Sequence, residues 1–447
     1  MYIGLIWLGT TCQIDLTRGL ATNLPFLKRQ SIKKQPFCWS VENRFQGFLA
    51  HVISNKNGTF ALMKIGIICY PTYGGSGVVA TELGKALAMK GHQVHFITYS
   101  QPFRLSYFTE NIFYHEVAVS DYPLFEYQPY ESALASKIVD VVKYEKLDLL
   151  HVHYAIPHAS AALMAKNILA SQKIYIPFIT TLHGTDITLV GRDPSFLPVI
   201  KYSLENSDEV TSVSESLKKD TEQIFAIRKE IKVIPNFINL TEYAIKGDRC
   251  QRNRYAPKGE KIMIHVSNFR KVKRVEDVLR VFNIVRKKVP CKLILVGDGP
   301  ERGNIEKLCR ELDTCSDIIS LGKIADPKEV LSISDIFVLP SETESFGLAA
   351  LEAMAMKIPV ISTNTGGLPE LNINGVTGYM SNVGDVEDMA KHAIEILSDD
   401  KKLAAFKKAA YERASEFDIS RILQQYEDLY NGLLEKNKAE NAAVPRL

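Results

Sequence analysis

The chain has 447 residues, and its 54 Lys and Arg against 51 Asp and Glu give a formal net charge of +3. With 46% hydrophobic and 23% charged residues, the composition is that of a globular protein with room for more than one core. A net charge so near zero excludes a general binder of nucleic acid or other polyanions, so any affinity for phosphate must be local. The 7 cysteines are scattered without C-x-x-C spacing, which suggests neither a zinc site nor a disulfide framework and fits a cytoplasmic location.

Residues 1–62 do not share the pattern of the rest of the chain. They begin with the apolar run MYIGLIWLG, and the basic residues follow it. A secretory signal has the opposite order, with the basic residues first. This apolar run is also far shorter than the roughly 20 residues of a membrane-spanning helix. We therefore expect residues 1–62 to be an N-terminal extension outside the fold, with Met63 as the functional start. A weak membrane anchor and an ordered accessory segment remain alternatives.

From Met63 onward, short β-branched strands alternate with helices of about 10–15 residues, which predicts parallel sheets built from βαβ units. The strands of a first series are MKIGIICY, QVHFITY, LDLLHVHY, IPFITTLH, DEVTSVS and IKVIPN. The polar segment TEYAIKGDRCQRNRYAPKGEK then predicts an irregular linker. The strands of a second series are KIMIHVSNF, KLILVGDG, IISLGK, DIFVLPS, PVISTN and TGYMS. An amphipathic helix, ISRILQQYEDLYNGLLEKNK, closes the chain before a tail that we expect to fray.

This order predicts an α/β protein with two doubly wound, Rossmann-like domains, residues 63–238 and 239–418, followed by a C-terminal helix over residues 419–447. Ligands of such sheets bind at the carboxyl ends of the strands. Two domains that face each other would therefore form one interdomain cleft.

A glycine-rich loop joins the first strand to the first helix. Gly75, Ser76 and Gly77 would let the backbone approach a ligand, and the start of a helix favours a phosphate. The loop is not the G-x-G-x-x-G of a dinucleotide-binding domain. A tight turn without a ligand is the alternative interpretation.

A basic loop follows the first strand of the second domain. Its donors suit a diphosphate, which needs fixed positive charge, although a solvated basic loop is the alternative. Not all of them can point inward, because a helix must begin at the end of the loop. The donors are Asn268, Arg270, Lys271, Lys273 and Arg274.

Two carboxylates, Glu344 and Glu352, follow the strand DIFVLPS. They are eight residues apart, or about 12 Å along a helix, which is comparable to the distance from a donor sugar to the ribose of a nucleotide-sugar. A carboxylate can accept two hydroxyl hydrogen bonds, as a vicinal diol requires. Glu352 lies in the apolar helix LAALEAMAM, where an unpaired carboxylate is costly, so it needs a partner or a ligand.

His183 ends a strand beside Gly184, which makes it a candidate catalytic group, with a structural histidine as the alternative. His151, His153 and His158 resemble a metal cluster at first sight. No acidic ligand accompanies these three, and we predict no metal site.

Taken together, SETESFGLAALEAMA, VSESLKKD, IPNFIN, LVGDGPE and TGGLPE resemble the retaining GT-B glycosyltransferases of family 4. The resemblance covers residues from about 63 to 435, and the combination is far more specific than any single motif. Within family 4, the chain is similar to the branch that opens bacillithiol biosynthesis. The segments that carry this similarity are CYPTYGGSGVVATELGKALA, FITYSQPFRL, HVHYAIPHASAA, TLHGTDITLVG and HVSNFRKVKR.

The resemblance implies a UDP-N-acetylglucosamine donor, an L-malate acceptor and retention at the anomeric carbon. By position, Glu352 resembles the ribose ligand, Glu344 the residue that contacts the donor sugar and Lys273 the diphosphate lysine. The family usually has Gly-Arg where this chain has Ser267-Asn268, and we expect Arg270 to supply the missing charge. The full donor-binding set expected is Gly75, Ser76, Gly77, Asn268, Arg270, Lys273, Ser345, Phe346, Gly347 and Glu352.

His183 resembles the histidine near the C6 hydroxyl of the sugar, so His183 and Glu344 are the expected catalytic residues. Malate is a small dianion and needs cations in the N-terminal half of the cleft. Arg104 is the first choice, with the alternative that it is a surface residue. Tyr154, Asn236 and Arg192 are weaker candidates. The resemblance also implies that the final helix packs back on the N-terminal domain.

The expected mechanism is a front-face transfer through an oxocarbenium-like transition state, with the leaving UDP taking the malate proton. No cofactor and no divalent metal are expected, because Arg270 and Lys273 would stabilise the leaving group. Only small-molecule partners are expected, without nucleic acid or stable membrane insertion, and a homo-oligomer remains open. The alternatives are a family 4 enzyme acting on a lipid, inositol phosphate or glycan, a UDP-sugar epimerase, and a non-catalytic nucleotide-sugar-binding protein.

Overall fold

The computed structural model describes residues 62–443, apart from residues 73, 106–108, 120–123 and 246. The expectation that an N-terminal extension lies outside the fold therefore concerns residues that, apart from Leu62, fall outside the described part. The closing helix continues to Ala443, so much of the tail that we expected to fray is helical.

The first sheet has seven parallel strands in the order β3-β2-β1-β4-β5-β6-β7. Their bounds are β1 Lys64–Ile68, β2 Gln93–Thr98, β3 Ile112–Glu116, β4 Leu149–His153, β5 Phe178–Leu182, β6 Glu209–Ser212 and β7 Ile231–Val233. The accompanying helices are α1 Gly75–Met89, α2 Tyr130–Glu145, α3 Ser160–Ser171, α4 Thr185–Thr188, α5 Leu197–Asn206 and α6 Glu215–Phe225.

The second sheet has six parallel strands in the order β10-β9-β8-β11-β12-β13. Their bounds are β8 Lys261–Val266, β9 Cys291–Val296, β10 Ile318–Gly322, β11 Ile336–Leu339, β12 Val360–Thr363 and β13 Gly378–Ser381. The helices of this half are α7 Arg249–Tyr255, α8 Val275–Val285, α9 Arg302–Glu311, α10 Lys328–Ser332, α11 Leu348–Ala355, α12 Leu368–Leu371, α13 Val386–Leu397 and α14 Asp400–Ala414, and α15 Ile419–Ala443 ends the chain.

The two sheets share one topology, and the predicted α/β class with two doubly wound sheets is confirmed. In each sheet the strand order reverses once, between β1 and β4 in the first and between β8 and β11 in the second. Ligands of open parallel sheets bind beside this reversal, at the carboxyl ends of the strands. We therefore expect the loops after these four strands to form a ligand site. The exact domain boundaries, 63–238 and 239–418, stay predictions.

The irregular linker predicted between the sheets is wrong in part. Asp248 caps a short helix, α7, by accepting the backbone N–H of Cys250 at 2.9 Å. This helix buries none of its residues, so it has no apolar periodicity in the sequence. Just before it, a 3₁₀ turn at Leu240–Tyr243 buries the Tyr243 side chain.

The chain crosses between the two halves twice, and the crossings are joined. The backbone N–H of Ile238 donates to Phe417, and the N–H of Ile419 donates back to Ile238. Beyond this point, α15 packs on the first sheet, where Tyr426 and Tyr430 are buried in one cluster with strand β1. Backbone hydrogen bonds thus tie the two crossings to each other.

Two further features concern the cysteines and the membrane. The structure joins Cys309 and Cys315 by a disulfide, a single pair that the scattered cysteines of the sequence did not suggest. The six-residue separation gave no signal, because it matches no metal-binding or redox spacing. Among the helices of the described part, none is both long enough and apolar enough to cross a membrane.

Buried histidines should make the fold sensitive to acid. Burial lowers the pKa of His95 and His158 to about 4 and that of His151 to about 3. Because these folded pKa values lie below the unfolded value of about 6.5, the neutral rings stabilise the fold above pH 6.5, and this contribution is lost as the pH falls. We expect the free energy of unfolding to decrease by about 1.4 kcal/mol per ring between pH of about 7.5 and about 5.5.

Urea denaturation at the two pH values measures this loss. The variant His95→Leu removes one of the titrating rings, so its loss should be smaller than that of the wild type by about the same 1.4 kcal/mol. An equal loss in both proteins would contradict the assignment of His95 as a neutral buried ring.

Candidate active site

The loops that follow β1, β4, β8 and β11 contain most of the residues predicted to form the site. The loops of the two sheets meet directly: a Cβ atom at Gly184, which follows β5, would overlap the hydroxyl of Ser345, which follows β11. Gly184 also has a φ of 119°, in the region that favours glycine. The interdomain cleft expected from the sequence is therefore lined from both sides.

The glycine-rich loop is partly a tight turn and partly exposed to the cleft. A Cβ at Gly77 would lie 2.5 Å from the carbonyl oxygen of Tyr70, so the turn itself requires this glycine. Gly75 instead begins α1 and faces Leu348 of the second half, where a Cβ would be 3.7 Å away from its Cδ2. Ser76 is half-buried beside it. The start of α1 thus points toward α11 across the cleft.

The cations of the basic loop after β8 are of two kinds. Some pair within the protein and support the structure, and others are available to a ligand. Arg274 pairs with Asp277 of its own helix, Nε to Oδ2, at 2.6 Å. Lys273 extends across to Glu344, with 2.5 Å between Nζ and Oε1. Asn268 and Arg270 are exposed. The expectation that only some of these donors point inward is thus met, and Arg274 is a structural residue.

Glu344 is half-buried and compensated on one oxygen. Besides Lys273, the hydroxyl of Ser341 donates to Glu344 Oε1 at 3.0 Å. The carboxylate lies at the carboxyl end of β11, on the loop that meets Gly184. A carboxylate held in this way keeps its second oxygen for a hydroxyl.

Glu352 has the partner that its apolar helix requires. Glu352 is 8% exposed, and burial raises the pKa of its carboxyl group. The charge of Arg104 and the hydrogen bond from Tyr243 lower this pKa and so oppose the effect of burial. The hydroxyl of Tyr243 donates to Oε1 at 2.9 Å, and Nη2 of Arg104 approaches the same oxygen at 3.5 Å. Within the described residues, Oε2 of Glu352 has no hydrogen-bond partner and is not sealed off in the interior.

Arg104, predicted to bind the acceptor, lies on the loop after β2 with a φ of 66°. Electrostatic interactions with three carboxylates, those of Glu352, Glu82 and Asp326, favour its charged form. Its guanidinium therefore lies at the junction of the two halves rather than on the outer surface, which excludes the surface alternative. Tyr243, its neighbour on Glu352, was not predicted from the sequence.

Asp186 organises the turn that carries His183. This buried carboxylate accepts the backbone N–H groups of Gly184 at 2.8 Å, Ala155 at 3.0 Å and His183 at 3.3 Å. It thereby ties the end of β5 to the segment after β4. Burial raises its pKa to about 6, although these three donors lower it.

His183 is half-buried at this turn, and its ring is bonded from behind. Nδ1 of His153, at the end of β4, lies 2.9 Å from Nε2 of His183. Burial lowers the pKa of His183 to about 3. His183 is therefore neutral throughout the physiological range.

Other predicted residues are placed less directly. Phe346, predicted to bind the donor, has a ring that is 3% exposed and packs edge-on against Phe417 with 5.5 Å between ring centroids. Only its backbone, and that of Gly347 beside it, can face the cleft. Asn236 is buried with an Oδ1 that has no partner among the described residues. The Tyr154 hydroxyl bonds to Thr185 next to the turn of His183.

A further carboxylate joins the two halves. Glu370, before the end of α12, accepts the backbone N–H groups of Glu215 at 2.9 Å and Ser216 at 2.8 Å, which begin α6. A carboxylate at the start of a helix compensates its free N–H groups and its dipole. The family motifs VSES and TGGLPE, to which the sequence assigned no role, therefore meet at this contact.

The histidines considered for a metal site have other partners. His151 bonds to the hydroxyls of Tyr430 and Thr181, and His158 Nδ1 donates to the carbonyl of His153 at 2.7 Å. Among the described residues, a group that could hold a metal ion is formed instead by His95, His115 and Glu145. It lies on β2, β3 and the end of α2, not on the loops of the cleft.

Turnover should depend on the ionisation of Asp186. Because its folded pKa of about 6 lies above its unfolded value of about 3.9, the stability that its protonation contributes is complete below pH 4 and is lost as the pH rises through 6. Acid therefore does not unfold the protein through this group. Protonation does weaken the acceptor of three N–H groups, so we expect kcat to decrease as the pH falls through about 6.

The variant Asp186→Asn has no ionisable group at this place. We expect it to have a lower kcat at pH of about 8, since one N–H loses its acceptor, and to lack the decrease near pH 6. A pH–rate profile in which Asp186→Asn keeps the acid limb would assign that limb to another residue.

Comparison with known proteins places the whole arrangement in one family. The family profile "Glycosyltransferase Family 4" matches residues 73–242, and "Glycosyl transferases group 1" matches residues 249–413. The N-acetyl-alpha-D-glucosaminyl L-malate synthase of Bacillus anthracis is 47% identical over 379 residues, which are 84% of this chain and 98% of that protein.

Solved structures share the fold at low identity. The sucrose-phosphate synthase of Thermosynechococcus elongatus has a TM-score of 0.68 at 22% identity, covering 84% of this chain and 100% of its own. HepE of Anabaena, in complex with UDP and glucose, also has a TM-score of 0.68, at 19% identity and coverages of 83% and 100%. With two facing parallel sheets, a cleft at their strand reversals and a relative of this identity, the chain belongs to the family 4 glycosyltransferases of the GT-B fold.

Proposed function

We propose that this glycosyltransferase moves N-acetylglucosamine from UDP-N-acetylglucosamine to the hydroxyl of L-malate with retention at the anomeric carbon, the first step of bacillithiol biosynthesis. The name of the relative from Bacillus anthracis, which is 47% identical over nearly its full length, supports the choice of N-acetylglucosamine as the transferred sugar and of L-malate as the acceptor. The observation that carries the proposal is the pair of carboxylates, Glu344 and Glu352, each held on one oxygen at the cleft.

In the proposed donor complex, Glu352 binds the ribose and Glu344 the N-acetylglucosamine. Each has one oxygen already compensated, by Tyr243 and Arg104 for Glu352 and by Lys273 and Ser341 for Glu344. Each therefore remains an acceptor for sugar hydroxyls. The diphosphate would lie between them, against the start of α1 at Gly75, Ser76 and Gly77 and the backbone of Ser345, Phe346 and Gly347.

The charges of the diphosphate would be balanced by the basic loop. Lys273 is already at the cleft, and Arg270, exposed and within electrostatic reach of Tyr154, can turn toward the same space. The exposed amide of Asn268 adds a neutral donor. Cations placed in this way stabilise the charge that develops on the leaving UDP, so the proposed mechanism requires neither a divalent metal nor a cofactor.

The acceptor would bind on the first half of the cleft. Arg104 now interacts with Glu352, and we propose that the ribose hydroxyls replace it there when the donor binds. Arg104 is then released to hold a carboxylate of malate, which couples acceptor binding to donor binding. We propose that the unpartnered Oδ1 of Asn236 and the Tyr154 hydroxyl form hydrogen bonds with the malate hydroxyl and with the polar groups next to it.

The reaction itself would proceed at the front face of the sugar. The bond from the anomeric carbon to the UDP oxygen breaks, the malate oxygen forms the new bond on the same face, and a UDP phosphate oxygen takes the malate proton. His183 is neutral and adds no positive charge beside the oxocarbenium-like centre. Together with the turn held by Asp186, it would fix the C6 end of the sugar.

One assay tests the substrates: UDP release from UDP-N-acetylglucosamine with L-malate, D-malate, an inositol phosphate, a diacylglycerol and an oligosaccharide as acceptors. We expect rapid release with L-malate alone. Release with another acceptor in its place would favour the alternative of a family 4 enzyme with a different acceptor. Binding of UDP without release on any acceptor would indicate a non-catalytic protein, and proton NMR showing a β-anomeric product would contradict retention.

Loss of the charge on Glu344 should abolish most of the activity. We expect Glu344→Gln to lower kcat by roughly 100-fold or more, because the amide is a weaker acceptor for a sugar hydroxyl and no longer balances Lys273. The matched control is Glu342→Gln, an exposed carboxylate two residues away on the same loop, which should keep the wild-type kcat. Equal activity of the two variants would remove Glu344 from the site.

A further inference from the structure

The imidazole behind His183 is the feature that the proposed mechanism does not use. Strands β4 and β5 are adjacent and parallel, with His153 in register with Thr181, so His153 ends its strand beside the turn of His183. The His153 side chain is fully buried, and its Nδ1 lies 2.9 Å from Nε2 of His183. The rings are nearly parallel, with 26° between their planes and 5.2 Å between their centroids.

Both rings are neutral, which restricts the hydrogen bond between them. Burial lowers the pKa of His183 to about 3 and that of His153 well below its usual range. A neutral imidazole has one N–H donor and one acceptor nitrogen. One ring must therefore donate to the other, and two arrangements are available.

The surroundings of His153 distinguish these arrangements. If His183 donated from Nε2, the proton of His153 would be on its own Nε2, which is buried and has no hydrogen-bond partner among the described residues. A buried N–H group without an acceptor costs about 1–3 kcal/mol and is rare in native proteins. If His153 donates from Nδ1, only a lone pair is left unpaired at that buried nitrogen. The second arrangement avoids the orphaned donor.

The consequence appears at the cleft side of His183. With its Nε2 accepting from His153, the proton of His183 must be on Nδ1. Within the described residues, Nδ1 of His183 has no partner and is not sealed in the interior. His183 then presents an N–H donor to the cleft, suited to a hydroxyl oxygen of the sugar rather than to its proton.

We propose that His153 is a positioning residue that holds His183 in the Nδ1–H tautomer, so that His183 donates a hydrogen bond to the donor sugar. The proposal rests on the proposed function for the identity of the sugar, but the tautomer itself does not depend on it. A partner that fixes the tautomer of a functional histidine acts through the ring nitrogen that does not face the ligand.

The direct test is a two-bond ¹⁵N–¹H correlation spectrum of the full chain labelled at histidine, with His183 assigned from the spectrum of His183→Gln. We expect the pattern of an imidazole protonated at Nδ1 for His183 at neutral pH. A pattern of protonation at Nε2, or of rapid exchange between the two, would overturn the proposal. The spectrum requires no substrate, so this result is separate from any failure of the malate assay.

Substitution of His153 gives the second readout. In His153→Asn an amide N–H can replace Nδ1–H as the donor, whereas His153→Leu has no donor. We expect His153→Leu to lower kcat roughly 10–100-fold with a smaller change in KM for the donor, and His153→Asn to recover most of that loss. Equal loss in both variants would reduce His153 to a packing role and contradict the proposal.

The chain offers a matched control for burial. His95 is also a buried strand histidine of the first sheet, its Nδ1 also lies 2.9 Å from Nε2 of another histidine, His115, and its Nε2 is also unpartnered. It does not contact the turn of His183. His95→Leu should therefore lose stability as His153→Leu does, but keep kcat near the wild type.

Discussion

The cleft of this glycosyltransferase depends on the compensation of one buried carboxylate. Glu352 lies on a helix whose other residues are apolar, and its carboxylate reaches the junction of the two sheets. A charge in that place is tolerated only with a partner, because an isolated buried carboxylate would be protonated or would destabilise the fold. Arg104 from the first half and Tyr243 from the linker provide the compensation. The helix that contains Glu352 thus depends for its stability on contacts with distant parts of the chain.

The same principle extends along the cleft. Glu344 is balanced by Lys273, Asp186 by three backbone N–H groups, and Glu370 by the free N–H groups that begin α6. The rings of His153 and His183 are neutral and hydrogen-bonded to each other. Each of these carboxylates is therefore compensated by groups of the protein itself. The contacts of Arg104 and Glu370 both join the two halves of the molecule.

The sequence predicted the fold class well, because buried parallel strands are continuous runs of β-branched residues that alternate with helices. It missed β3, an edge strand that buries none of its residues fully and exposes Phe113 and Tyr114, and α7, which buries no residue, since neither has the long buried run or the apolar periodicity of the other elements. Glu352 was predicted to need a partner, but its partners lie 248 and 109 residues away in the chain, beyond the reach of local patterns. Phe346 shows that a residue within a functional motif can have its side chain in the core. His153 was considered only as a possible metal ligand and Asp186 was visible only as a member of a motif, whereas their roles follow from the adjacency of β4 and β5.

A crystal structure of the protein with UDP and L-malate would show whether the donor ribose takes over Glu352 and frees Arg104 for the acceptor, as we propose. The separation of Arg104 Nη2 and Glu352 Oε1 is 3.5 Å in the structure described above. We expect this contact to be broken in the complex, with ribose hydroxyls on Glu352 and a malate carboxylate on Arg104. An intact Arg104–Glu352 pair with the ribose bound elsewhere would contradict it.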